Sequence, residues 1–148
     1  MKTILVPVDL SAATDRVCDA ACAFAKLMNA RLLLLHCVQT PPFMMNDYYA
    51  FDTGAMTEVV DAGKKAAGKK LEALGRRYAK RKIPLRTLQL TGHPATNILN
   101  QAKTSKAAYI VIGSHGHGAV FDLLVGSTTQ GVLRKAHCPV LVVPMKPE

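Results

Sequence analysis

Apolar positions along this chain follow two alternating periods. Short apolar runs at Ile4 to Val8, Arg31 to Val38, Ala107 to Ile112 and Pro139 to Val143 have the length and flavour of strands. Between them, apolar residues recur three and four apart, as on one face of a helix. The first strand ends at Asp9, and Pro7 is awkward within it, because proline cannot donate to a ladder. Ser11 stands where a cap is expected for a helix whose buried stripe is Val17, Ala21, Phe24, Ala25 and Met28, and Asn29 suits its left-handed stop. The four leucines of the second strand, Leu32 to Leu35, imply burial on both faces. Gln39 to Ala55, with Pro41-Pro42, Met44-Met45 and Tyr48-Tyr49, is a long irregular connection of the kind that forms a lid, an interface or a mobile segment. A helix from Thr57 to Arg81 follows, with Val60, Ala67, Leu71, Leu74 and Tyr78 on one stripe. Leu85 to Leu90 mixes apolar and polar residues as an edge strand does. Gly92-His93-Pro94 turns into a helix carrying Ile98, Leu99 and Ala102, and a last helix covers Ser127 to Lys135. The order β-α-β-α-β-α-β-α-β predicts an α/β fold: a five-stranded parallel sheet, strand order 3-2-1-4-5, with helices on both faces, as one domain over residues 1–148.

Composition narrows the function classes. At 49% hydrophobic and 20% charged residues, the 148-residue chain is globular and large enough to bury a core without staples. Its apolar runs fall short of the ~20 residues of a membrane span, and Asp9 arrives too early for a signal peptide, so a cytoplasmic location is expected. The four cysteines, Cys18, Cys22, Cys37 and Cys138, show neither Cys-x-x-Cys nor zinc spacing and are expected as reduced, mostly buried thiols. Net charge is +9, of which residues 57–82 supply +6: nine Lys/Arg, from Lys64 to Lys82, against Glu58, Asp61 and Glu72. A solvated helix face accounts for this charge, and an anionic partner on that face is the competing reading.

The candidate chemistry lies behind the fourth strand. Gly113-Ser114-His115-Gly116 leaves that strand, and after nine intervening residues Gly126-Ser127-Thr128-Thr129 opens the last helix. Glycines there allow positive φ and close ligand approach, and a helix N-terminus favours an anion, so the pair of segments is expected to cradle phosphate. Neither a Gly-x4-Gly-Lys-Ser/Thr loop nor a Gly-x-Gly-x-x-Gly after the first strand is present. With strand order 3-2-1-4-5 the ligand crevice falls between strands one and four, where Val8-Asp9 meets the glycine segment. Asp9 is expected either to bind ribose, base or metal, or to cap the helix after it. Val38 is expected to offer backbone and apolar surface to a base, or to be ordinary core. His115 suits donation to a phosphate, whereas His115 and His117, two apart with no third ligand, suit zinc poorly. His36 reads as a core histidine, and His93 and His137 as turn residues.

Over nearly its whole length the chain resembles the universal stress protein family. The resemblance rests on Ile4-Leu5-Val6-Pro7-Val8-Asp9, Gly92-His93-Pro94, the Gly113-x2-Gly116-x9-Gly126-Ser127 signature and the tail from Leu133 to Pro144. It makes Pro7 unremarkable, and it implies that Pro7, Asp9 and Val38 hold an adenosine while Gly113, His115, Gly116, Gly126, Ser127, Thr128 and Thr129 surround ribose and phosphates. It further implies ATP, with magnesium, as ligand, and a homodimer through Val140, Leu141, Val142 and Val143. Ala108 departs from the acid usual before strand four, away from the expected nucleotide. The function expected is that of an ATP-binding, dimeric stress-response switch. A slow ATPase or phosphotransferase at the same site is the enzymatic alternative, although no Walker lysine or convincing base is in view. A nucleic-acid module on the basic helix is the third.

Overall fold

The computed structural model of the chain describes residues 1–39, 53–116 and 125–145. The elements are β1 (Lys2–Pro7), α1 (Thr14–Met28), β2 (Ala30–Val38), α2 (Thr53–Ala79), β3 (Leu85–Thr91), α3 (Pro94–Thr104), β4 (Tyr109–Gly113), α4 (Ser127–Lys135) and β5 (Val140–Val143). The strands form one parallel sheet in the order β3-β2-β1-β4-β5, as expected.

Alternation along the strands divides the core in two. Ile4, Val6, Val8, Leu32 and Leu34 face α1 and α2, packing on Val17, Cys18, Ala21, Cys22, Leu71, Leu74 and Tyr78. Leu5, Leu35, Ile110 and Ile112 face the other way, onto Ala95 and Ile98 of α3 and Val132 of α4. Both faces of the central strands are therefore covered, which is why their sequences lack polar alternation. Cys18 and Cys22 are small buried members of the first cluster, and burial pushes both thiols up from their ordinary range.

Several boundaries differ from expectation. Helix α2 begins at Thr53, not Thr57, and takes in the last residues assigned to the irregular connection; the rest of that stretch, Thr40 to Asp52, lies outside the described residues, as does His117. Ser11 does not cap α1. The N-cap is Ala13, without a side-chain hydrogen bond, and Ser11 instead belongs to a tight turn in which Leu10 takes φ 62°. Strand β4 starts at Tyr109 rather than Ala107, because the chain leaves α3 through Lys106 at φ 50° and Ala107 donates back to the Ala102 carbonyl at 2.8 Å. Asn29, at φ 48°, is the left-handed stop its sequence suggested. On α2, Arg77 pairs with Asp15, and just past its end Arg81 pairs with Asp19 at 2.7 Å, so two of the basic side chains bind α1. Among the described residues no helix is long and apolar enough to cross a membrane.

Candidate functional site

The sheet opens where β1 and β4 part. Their ladder pairs Ile4 with Tyr109 and Leu5 with Ile110 and goes no further. On the other side of β1 pairing continues to Pro7 and Leu35, and the Val8 amide still reaches the Leu35 carbonyl at 2.8 Å. Since successive residues of a strand turn their backbone groups to opposite neighbours, the Pro7 nitrogen faces β4 at a position past the end of that ladder. The missing N–H therefore costs no hydrogen bond. Beyond it lies a cavity of about 400 Å³, a size suited to a small organic ligand.

Pro7, Val8 and Asp9 enter this cavity from β1; Gly113, His115 and Gly116 enter from β4; and Gly126, Ser127, Thr128 and Thr129 enter from the start of α4. The structure thus assembles three sequence-distant segments around one space. It leaves out Val38. The next residues in step along β2, Leu35, Cys37 and Gln39, line the cavity instead, because a strand turns alternate side chains to one face. The Val38 carbonyl is occupied as well, accepting from the Gly92 amide at 2.9 Å.

Asp9 does two things at once. Its Oδ1 accepts from the Ser11 amide at 3.1 Å, the Ser11 hydroxyl at 2.7 Å and the Thr14 hydroxyl at 3.4 Å, which fixes the turn into α1. Its Oδ2 lies toward Gly116, where a Cβ would approach to 3.1 Å. The helix-start role and the crevice position are therefore one arrangement, not alternatives.

The glycines serve closeness rather than handedness. Among the described residues Gly92 is the glycine with positive φ, at 125°, so Gly113, Gly116 and Gly126 do not need the left-handed region expected of them. A Cβ on Gly113 would meet Val17 Cγ2 at 3.2 Å and the His115 carbonyl at 3.3 Å. At Gly126, extended at φ −71° and ψ 166°, a Cβ would make only ordinary contacts.

Beneath them runs a hydrogen-bonded floor. The Gly126 amide donates to the Ser114 carbonyl at 2.7 Å, and the Thr129 hydroxyl to the Gly113 carbonyl at 2.7 Å. Thr129 is 3% exposed, so its hydroxyl ties α4 to β4, while Ser127 and Thr128 stand at the helix start facing the cavity. The Met145 amide donates to Ser114 Oγ at 2.9 Å, and that hydroxyl lies 3.0 Å from His115 Nδ1. With its oxygen accepting from Met145, the Ser114 hydroxyl can donate to Nδ1, an arrangement that places the ring proton of a neutral His115 on Nε2.

One residue at this end escaped the sequence reading. His93 is the N-cap of α3, accepting from the Thr96 amide at 3.4 Å, with Pro94 directly after it against the cavity. Its position before a proline at a helix start was the available signal. His36, half-buried, has Nδ1 2.9 Å from the Val8 carbonyl and steadies the end of β1. Among the described residues no group of three or more His, Cys, Asp or Glu side chains is placed to hold a metal.

The universal stress protein family model matches residues 1–144. The chain belongs to the universal stress protein family. A universal stress protein of Thermus aquaticus is 34% identical over 143 residues, covering 96% of this chain and 98% of the relative. The solved structure of MJ0577, from Methanocaldococcus jannaschii, superposes with a TM-score of 0.83 at 26% identity, covering 99% of this chain and 98% of that one. Two more distant members share the fold: one solved in complex with cAMP (TM-score 0.70, 22% identity, 97% and 96% of the two chains) and one from Archaeoglobus fulgidus in complex with dAMP (0.67, 20%, 97% and 98%).

Proposed function

We propose that this family member binds ATP, with magnesium as its counter-ion, in the crevice between β1 and β4, and that occupancy sets the state of a cytoplasmic dimer acting in stress response. The observation that carries the reading is convergence: Asp9, the Gly113 to Gly116 segment and the uncapped start of α4 surround one cavity. Hydroxyls of Ser127 and Thr128 and the Asp9 carboxylate suit a cation that bridges protein and phosphates better than a closed protein cage. The cAMP and dAMP complexes of distant members support an adenine nucleotide as the ligand class. The edge position of β5, with Leu141 41% exposed, supports pairing with a second copy through Val140 to Val143. The four free thiols fit a reducing compartment.

The test is mass spectrometry of nucleotide released on denaturing freshly purified protein, with calorimetric titration of ATP-magnesium into stripped protein. Expected are co-purified adenine nucleotide, or micromolar binding weakened about tenfold or more by Gly116→Val, whose side chain meets Asp9. No nucleotide and no heat would overturn the proposal. Steady ADP release by the wild type but not the Gly116→Val protein would move the site into the enzymatic class.

A further inference from the structure

The crevice does not share the positive side-chain charge of the molecule. The chain has a net charge of +9, yet among the described residues that line the cavity none is Lys or Arg. Six of the 19 Lys and Arg stand on α2, which packs against β2 and β3 toward the edge of the sheet opposite β5.

Attraction for phosphate in the crevice therefore comes from backbone. The starts of α1 (Ala13, Thr14), α3 (Pro94) and α4 (Gly126 to Thr129) all border it, each contributing about half a positive charge. Neither α3 nor α4 has an acid in its first turn; α1 has Asp15, which pairs with Arg77, and Arg16 beside it, and the Asp9 carboxylate stands at the crevice itself. Three half-charges set against Asp9 leave a site close to neutral. A site of that kind accommodates a monophosphate more easily than the roughly four charges of a free triphosphate.

We infer that this crevice selects its nucleotide by net charge: low-charge adenine nucleotides enter unaided, and ATP enters only as its divalent-cation complex. The inference rests on the reading of the crevice as a nucleotide site. Asp9 is the discriminating residue: Oδ1 holds the turn while Oδ2 lies toward Gly116, on the side where the phosphates are expected, so that its charge repels a metal-free triphosphate. A cation bridging the phosphates removes that repulsion.

Calorimetric titration with AMP, ADP and ATP, in EDTA and in magnesium at matched ionic strength, tests it. In EDTA, affinity falls from AMP through ADP to ATP by about tenfold or more overall, and magnesium restores ATP to at least the AMP level. Asp9→Asn keeps an Oδ1 acceptor for Ser11 and Thr14 and removes the charge, so the EDTA ratio of AMP to ATP affinity should shrink by about threefold or more. Using the ratio cancels any loss common to both ligands. Lys146→Gln, which removes the one cation the sequence places next to Met145, should leave the ratio unchanged. Metal-free ATP binding as tightly as AMP, or a ratio unmoved by Asp9→Asn, would overturn charge selection while leaving a nucleotide site. No heat with any nucleotide in either buffer would overturn the reading of the site, and the inference with it.

Discussion

Thr129 separates two accounts of the same hydroxyl. Its place at the start of α4 suggested contact with a phosphate, whereas in the structure the hydroxyl donates to the Gly113 carbonyl at 2.7 Å from a side chain only 3% exposed. Thr129→Val keeps the branched shape and a similar helix propensity but removes the donor. The lost hydrogen bond is worth roughly 0.5–1.5 kcal/mol, and stranding its acceptor brings the cost to about 2 kcal/mol. A methyl also cannot sit 2.7 Å from an oxygen, so α4 must move outward by about half an ångström. For a chain of 148 residues that cost lowers Tm by about 4–8 °C. Thr129→Ser keeps the donor and loses one methyl, at about 1 kcal/mol or less. Urea unfolding with an unchanged m-value, run beside nucleotide titration, decides the matter. The structural role requires the valine variant to lose stability and the serine variant to keep most of it. A valine variant as stable as wild type that nevertheless loses nucleotide would refute the reasoning and return the hydroxyl to the phosphates.

Three further outcomes follow from other contacts. Burial, helped by the neighbouring Cys22 and Asp15, pushes the Cys18 thiol up to about 12, above its unfolded value near 9, so its contribution to stability is intact below pH 9 and fades as pH rises from 9 toward 12. The urea midpoint should hold steady from pH 7 to 8.5 and fall above 9, less steeply in Cys18→Ala, and a midpoint flat to pH 10 would contradict this. A Cβ on Gly75 would lie 2.6 Å from Thr87 Cγ2, so Gly75→Ala should destabilise, whereas in a Thr87→Ser background the same change should cost about 1 kcal/mol less or become stabilising; equal effects in both backgrounds would show that α2 and β3 adjust freely. Leu141→Arg on the β5 edge should shift sedimentation toward monomer with the nucleotide site intact, and an unchanged oligomer would move the proposed interface elsewhere.

The parts of the fold legible in sequence were those governed by local periodicity. The leucines of β2 announced burial on both faces, and Leu34 and Leu35 do point into opposite clusters. The glycine spacing pointed to the crevice between β1 and β4, because strand ends and helix starts leave strong marks in residue type. What escaped was set by the partner rather than by the residue. Cys37 and Gln39, not Val38, line the cavity because one step along a strand reverses the facing side chain, and an apolar run does not reveal its own phase. Ser11 looked like a cap because its residue type suits one, but Asp9 Oδ1 takes its amide and hydroxyl and helix α1 begins three residues later, at Thr14. Of the two reasons expected for the glycines, closeness applies and φ does not: a Cβ at Gly113 would crowd Val17 and the His115 carbonyl, and one at Gly116 would crowd Asp9.

Pro7 shows why an apparent fault in the pattern can mark the site. In a central strand each backbone amide needs a partner, so a proline is tolerated only where a neighbour has already departed. In β1 that condition is met at one end and on one side, toward β4, where pairing stops at Leu5 and Ile110. On the β2 side, where the ladder continues, the donor needed is that of Val8, and it is present and bonded at 2.8 Å. A crevice between two parallel strands requires this asymmetry, because the strands must separate toward opposite faces while each keeps its outer neighbour. Moving the proline one residue either way would remove a donor needed by β2. The position that breaks the strand pattern is thus the one that permits the sheet to open, and Asp9 follows two residues later at the mouth of that opening.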